Sequence, residues 1–302
     1  MIYLSKFTFP IKDEEFDFFL SIKRKCYNDF YPFGILSDRG LETVEFEPIT
    51  IIYGGNGSGK TTALNVIGEK LNLTRDSQYN RSFFFEDYVK LCSYELEGDV
   101  FRSDEDLDDK MHTGEIPDVS RMITSDDVFD FMLNLRALND GIDNKREELF
   151  DQYLNAKYSK FQLNSLDDYE KLKDMNMARS NTQSMYVKKN LMKNVREHSN
   201  GESAFRYFTE KIKDYGLYIL DEPENSLSPK KQQELVQFIQ DGARFFGCQF
   251  IIATHSPFML AMKEAKIYDL DAMPPAVKNW TELENVRAYY DFFKQHNEDF
   301  NL

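Results

Sequence analysis

The sequence predicts an α/β fold: a mixed sheet with antiparallel strands near the N-terminus and a small helical lobe inserted in the middle. Three observations predict it. Apolar runs at Pro48 to Tyr53, Leu217 to Asp221 and Gln249 to Ala253 have the length and branched content of buried strands. Each run ends in glycine or polar residues and is followed by apolar residues at helical spacing. The first sixty residues alternate apolar and polar, as at Ile2-Leu4 and Val44-Phe46-Pro48, which reads as antiparallel strands flanking the first run.

The first run leads into Gly54-Gly-Asn-Gly-Ser-Gly-Lys-Thr-Thr62. Gly54, four residues, then Gly59-Lys60-Thr61 fits the phosphate-loop pattern. A backbone wraps a polyphosphate only where no Cβ blocks the approach and left-handed dihedrals are cheap. Gly54, Gly55, Asn56, Gly57, Ser58 and Gly59 would then turn their amides inward, with a helix N-terminus behind them. Lys60 would reach the β- and γ-phosphates, and Thr61, next to Thr62, would take a Mg²⁺ position. Ala63, Val66, Ile67 and Leu71 mark the apolar face of the helix that follows. The plain alternative is a glycine-rich turn that matches by chance; strand before and helix after argue against it.

The second run ends in Asp221-Glu222-Pro223. A buried strand delivers such acids to the C-terminal edge of a sheet. Asp221 suits the Mg²⁺ shell, since a hard cation wants oxygen ligands. Glu222 is placed to polarise the water that attacks a γ-phosphate. Standing alone, the pair would be an ordinary solvated strand end. The third run ends in His255-Ser256-Pro257, where Ser256 is a natural N-cap and Pro257 suits the first helical position. A neutral His255 imidazole there could donate to a γ-phosphate oxygen. Upstream, Ser199-Asn200-Gly201-Glu202 is a small polar cap at a helix start, read by itself as an ordinary cap.

The order of phosphate loop, insert, Ser-x-Gly-Glu cap, acidic strand and histidine strand resembles the ABC-type ATPase fold of the recombination and chromosome-maintenance branch. More narrowly it resembles small stand-alone bacterial AAA-type ATPases, through Ser199 to Glu202, Leu220-Asp-Glu-Pro-Glu-Asn-Ser-Leu-Ser-Pro229 and Ile251-Ile-Ala-Thr-His-Ser-Pro257. The resemblance implies a P-loop NTPase head, ATP and Mg²⁺ as ligands, and two protomers sandwiching two nucleotides. It implies that Ser199 and Gly201 act in trans while Lys60, Thr61, Thr62, Asp221, Glu222 and His255 act in cis. It also implies a regulatory or sensor role in anti-phage defence or DNA repair beside a separate effector. A nucleotide-gated binding module with slow hydrolysis is one alternative, and a transporter motor another. Ser228 stands where transporter loops carry Asp, and Asn200 replaces a more usual His or Gly. The glutamine that normally follows the phosphate loop has two candidates, Gln78 and the Ser125-Asp-Asp127 segment.

The resemblance implies one ATPase domain spanning 1–302, with the helical lobe at 124–200 between the phosphate loop and the acidic strand, while length alone permits one large domain or two small ones. At 302 residues and 41% hydrophobic content the chain can bury a large core. Three cysteines without ligand-like spacing point to reduced thiols and a cytoplasmic setting. The first ten residues lack the apolar core of a signal peptide, and no run is long enough to span a bilayer. A net charge of −15 disfavours broad, sequence-independent binding to nucleic acid.

Within the lobe, Thr124-x-x-Asp127 reads as a capping box, with Val128, Phe131, Met132 and Leu135 at helical spacing and Gly141 ending the helix. Ser165-x-x-Asp168 caps a second helix, and Val187, Leu191 and Val195 mark a third. Heptads are too few for a long coiled-coil arm. Lys188, Lys189, Lys193 and Arg196 lie on that third helix, as a solvated face or a local contact to nucleic acid or an acidic partner. Glu95 to Lys110 reads as an acidic loop. Tyr31 or Phe33 could stack on adenine or pack in the core. Asp269 and Asp271 are strand-end acids. Val286, Tyr289, Tyr290 and Phe293 make a terminal amphipathic helix that packs on the core or docks a partner.

Overall fold

The computed structural model describes residues 1–23, 26–97, 114–158, 176–191, 200–225 and 227–300. They form two compact units, one of residues 1–128 with 200–302 and the other of 129–199.

The first unit opens with β1 (Leu4–Thr8), α1 (Lys12–Ser21) and β2 (Thr43–Glu45). Next come β3 (Ile49–Tyr53), α2 (Lys60–Lys70), α3 (Phe85–Leu91), β4 (Ser93–Leu96) and β5 (Arg121–Thr124). The N-terminal strands do pair antiparallel, but they do not flank β3. They form a sheet of their own in the order β2-β1-β4. Both edges of β3 are taken by parallel partners from late in the chain, and short-range alternation carries no information about such distant pairings.

At Ser125 begins α4 (Ser125–Tyr158), capped as the sequence suggests: the Thr124 N–H donates to Asp127 Oδ2 at 2.7 Å and the Asp127 N–H returns to Thr124 Oγ1 at 3.3 Å. Gly141 does not end this helix, which runs on for 34 residues. A mid-helix glycine costs only about 1 kcal/mol against alanine. Without a left-handed cap or a proline after it, the surrounding helix formers carry the chain through. The second unit also holds α5 (Gln183–Asn190) and a small core of Leu149, Tyr153, Ala178, Tyr186 and Val187. Lys188 and Lys189 are exposed on α5, which stops at Asn190. Lys193, Arg196, Val195, the Ser165–Asp168 cap and most of the acidic loop lie outside the described residues.

The first unit resumes with α6 (Asn200–Lys211), β6 (Leu217–Asp221), α7 (Pro229–Phe245) and β7 (Gln249–Ala253). It ends with α8 (Pro257–Leu260), β8 (Lys266–Asp269), β9 (Ala276–Val277), α9 (Glu284–Gln295) and α10 (Asn297–Phe300). The main sheet has the order β5-β6-β7-β3-β8-β9, parallel except for β9. Its register aligns the strand ends: Thr124 pairs with Asp221, Asp221 with Ala253, Ala253 with Ile52, and Tyr53 with Asp269. Every loop leaving a parallel strand therefore opens on one edge, where ligands bind in sheets of this kind.

The central strands are buried along their whole length, which is why they read as continuous apolar runs. Helix α2 packs Ala63, Leu64, Val66 and Ile67 beneath them. The two sheets are joined through Gln249, fully buried at the start of β7. Its Oε1 accepts from the Tyr3 and Leu4 amides at 2.8 and 2.9 Å, and its Nε2 donates to the Leu4 carbonyl at 2.8 Å. Ser228 caps α7 with Pro229 at its start, Leu235 and Ile239 buried, and Gly247 beyond its end at φ +64°. Phe33 is buried, stacked on Phe18 and edge-on to Tyr88, so it packs in the core.

Candidate active site

The loop after β3 wraps tightly. A Cβ on Gly54 would lie 2.6 Å from Ser58 Oγ, and Gly59, the residue before α2, sits at φ +93°. Both positions therefore exclude other residues for steric reasons. Gly57 and Asn56 face solvent at the tip, while Ser58, Lys60 and Thr62 are buried. Tyr31, half-buried, donates its hydroxyl to Thr62 Oγ1 at 3.2 Å, so it braces the helix start.

Lys60 folds back on its own loop. Its Nζ donates to the Gly54 and Gly55 carbonyls at 2.8 and 3.1 Å and lies 2.9 Å from His255 Nε2. An ammonium donates and never accepts, so a charged Lys60 meets Nε2 as the acceptor. Burial lowers the Lys60 pKa, opposed by the nearby Glu222 and Asp221 carboxylates.

Asp221 is buried, and its carboxyl is pushed up to about 6, chiefly by desolvation. The Thr61 side chain, hydrogen-bonded to it, acts the other way. Asp221 Oδ1 is buried without a hydrogen-bond partner among the described residues. A carboxylate oxygen with no donor beside a hydroxyl is a donor set that fits a hard divalent cation completed by water. The Mg²⁺ expected from the sequence therefore suits Asp221 and Thr61.

Glu222 follows in a left-handed conformation, φ +47°, which a non-glycine residue rarely takes. Its amide continues the sheet by donating to the Ala253 carbonyl at 2.9 Å, and its Oε2 accepts from Asn225 Nδ2 at 3.0 Å. Glu222 Oε1 stands 3.5 Å from His255 Nε2. The peptide is thus bent so that the carboxylate returns over the strand ends instead of following the loop outward. Such strain gathers at functional sites.

Lys60, Asp221, Glu222 and His255 lie close together. Gly201 lies in the first turn of α6, and the contacts around the converging set do not include it; Ser199 lies outside the described residues. Gln78 is exposed, whereas Asp127 is buried one turn beyond Thr124, the strand partner of Asp221.

Arg39 and Asn285 carry no sequence signal, and Asp271 reads only as a strand-end acid. Arg39 donates to the Gly57 carbonyl at 3.0 Å and to the Leu270 carbonyl at 3.1 Å. Asp271 accepts the Gly55 N–H at 2.6 Å, so this strand-end acid anchors the phosphate loop. Asn285 on α9 donates to the His255 carbonyl at 3.2 Å. Beyond His255 lies a cavity of about 690 Å³ lined by Pro257, Phe258, Trp280, Tyr289, Tyr290 and Phe293. On α9 only Val286 is buried, while the three aromatics stay largely exposed.

Residues 117–261 match the family described as "AAA domain, putative AbiEii toxin, Type IV TA system". That span runs from just before β5 to just after α8, and includes Gly201, Asp221, Glu222 and His255 but not the phosphate loop. With the parallel sheet, the loop after β3 and the acids after β6, the chain has the α/β fold of a P-loop NTPase, and this span is similar to that AAA family. No curated protein matches the sequence. Similar solved structures include a dimeric ATP-binding cassette in a post-hydrolysis state bound to ADP and Pi. It shares 13% identity over 79% of this chain and 88% of that one, at a TM-score of 0.34. An Smc head bound to the C-winged helix domain of ScpA shares 16% identity over 82% and 94%, at 0.36. The Smc head with extended coiled coil bound to the C-terminal domain of ScpA, from Pyrococcus furiosus, shares 13% over 96% and 100%, at 0.41.

Proposed function

We propose that this chain binds ATP at the loop Gly54 to Thr62 and hydrolyses it by in-line attack of water on the γ-phosphate. The observation that carries the reading is the convergence of Lys60, Glu222 and His255 Nε2, with Nε2 2.9 Å from the lysine and 3.5 Å from the glutamate. When nucleotide enters, Lys60 leaves the Gly54 and Gly55 carbonyls for the β- and γ-phosphates. That frees His255 to face the γ-phosphate, which it meets as a donor once Nε2 carries the proton. Glu222 orients the water. Thr61 and Asp221 would hold Mg²⁺, which would supply neutralisation of the charge that develops on the phosphates. Catalysis is placement and charge stabilisation, so a preformed cluster is what the reaction needs.

Two copies enclose the nucleotides in this reading, with Ser199 and Gly201 of one capping the γ-phosphate held by the other. The chain then serves as a regulatory or sensor subunit beside a separate effector. The description of the matched family, which names a toxin of a toxin–antitoxin system, supports defence over DNA repair. Contact to nucleic acid through Lys188 and Lys189 belongs to the same reading, as does a cytoplasmic setting; no helix among the described residues is long and apolar enough to cross a membrane.

Glu222→Gln tests the core of this. The side chain keeps its size and loses its charge, so turnover should fall by about 10² to 10⁴. ATP binding should persist, and the variant should collect as an ATP-bound dimer, read by light scattering on a sizing column with and without Mg-ATP. A variant that hydrolyses at the wild-type rate removes Glu222 from the role. One that stays monomeric with ATP bound removes the sandwich.

A further inference from the structure

We infer that Glu224 is a positioning residue for the hydrolysis proposed above: it fixes His255 against the γ-phosphate site and ties the histidine turn to the loop carrying Glu222. The inference rests on that reading of the site and adds a residue to it.

His255 lies between β7 and α8, in a turn that no strand pairing holds. Its backbone is instead fixed from outside. Glu224 Oε1 accepts three hydrogen bonds at once, from Thr254 Oγ1 at 2.7 Å, the His255 N–H at 2.6 Å and the Ser256 N–H at 3.1 Å. The His255 carbonyl takes the Asn285 side-chain amide on the other side. With both backbone groups held, the imidazole has little left to vary except its own torsions.

The same carboxylate belongs to the loop that aims Glu222. The Asn225 N–H donates to the Glu222 carbonyl at 3.1 Å and its side chain to Glu222 Oε2. Gln232 on α7 closes the circuit, donating to the Leu227 carbonyl at 3.0 Å and accepting from Ser256 Oγ at 2.6 Å. The water-orienting acid and the histidine turn therefore shift together or not at all.

A purely structural tie explains less. Ser256 Oγ already caps α8 by accepting from Phe258 and Met259 amides at 3.2 and 3.4 Å, so the helix start does not need Glu224. The other carboxylate oxygen, Oε2, is buried with no hydrogen-bond partner among the described residues. A buried oxygen left without a donor costs stability, a cost that a neutral amide would lessen. What the glutamate supplies is reach and a strong acceptor for converging donors at the point that sets the histidine.

Two variants separate reach from charge. Glu224→Asp keeps the charge but withdraws the carboxylate by about 1.5 Å, one carbon–carbon bond. Glu224→Gln keeps the reach and an accepting oxygen but loses the charge. A small misplacement of a catalytic group costs about 10² in rate. Glu224→Asp should therefore lose about a hundredfold in kcat, with KM for Mg-ATP within about threefold of wild type. Glu224→Gln should keep kcat within about tenfold. The second readout needs no turnover: nitrogen-15 NMR of histidine-labelled protein, with the His255 ring assigned by His255→Asn. Wild type and Glu224→Gln should show the nucleotide-free ring protonated at Nδ1, and Glu224→Asp should show mixed tautomers.

The inference is overturned if Glu224→Asp works and Glu224→Gln does not, if both match wild type, or if the loss is in KM with kcat unchanged. A wild-type chain that turns over no ATP would instead sink the hydrolysis reading, and the ring spectra would still decide whether Glu224 holds His255.

Discussion

Replacing Asp221 with asparagine should make the nucleotide-free protein more stable while crippling its site. The carboxyl has an ordinary value of 3.8 and is pushed up to about 6, mainly because the strand end buries it. Two pH units at about 1.36 kcal/mol each put the cost of carrying the charge in the folded chain at about 3 kcal/mol. The sign follows from the direction. A carboxyl raised on folding favours the protonated form, so its contribution is fully present below pH 3.8 and is lost as pH rises through about 6. At pH 8 the ionised Asp221 therefore weakens the protein, and asparagine, which carries no charge, restores about 3 kcal/mol. Near pH 4 the gain should shrink below about 1 kcal/mol. For 302 residues an unfolding entropy of about 2.1 cal/mol/K per residue converts 3 kcal/mol into about 5 °C of Tm. Melting followed by circular dichroism in EDTA, at several pH values between 4 and 8, reads both numbers. In parallel samples without EDTA, Mg-ATP should raise the wild-type Tm and raise that of Asp221→Asn much less, since the metal would have lost its carboxylate. An asparagine variant that melts at or below wild type at pH 8, or gains equally at every pH, refutes the reasoning.

Other outcomes follow from single contacts. Lys60→Ala removes the one side chain that bonds both loop carbonyls and faces His255; ATP affinity by calorimetry should fall by about 10- to 100-fold or more while the circular dichroism spectrum is kept. Mixing Lys60→Ala with Gly201→Asp should recover activity from two inactive proteins if Gly201 acts across a dimer, and recover none from proven mixed dimers if each site is complete within one chain. Gln249→Leu leaves two amides and a carbonyl of the N-terminal strand without partners in a buried setting, and should lower unfolding free energy by about 2–4 kcal/mol in urea titrations.

The sequence by itself determined three strands of the main sheet, β3, β6 and β7, and the motif residues at their ends. Buried parallel strands must be apolar throughout, and a loop that wraps phosphate must be glycine-rich, so both leave local marks at Ile49–Tyr53, Gly54 to Thr62, Leu217–Asp221 and Gln249–Ala253. Caps are equally local: Thr124 with Asp127 and Ser256 with Pro257 were both legible within four residues. The end of α4 was misread because glycine is a weak stop when nothing after it demands a turn.

Only the tertiary structure decided what depends on partners far apart in the chain. Strand order is one such case, since the edges of β3 go to strands some two hundred residues later and the N-terminal strands are left to a sheet of their own. The bend at Glu222, the hold of Asp271 on Gly55, of Arg39 on Gly57 and of Asn285 on His255 are others. Each is a single hydrogen bond or dihedral between ordinary residues, with no periodicity or spacing to announce it. The physical reason is range: burial and capping act on neighbours along the chain and leave their pattern there, whereas a site is closed by contacts that exist only after the sheet has brought its strand ends to one edge.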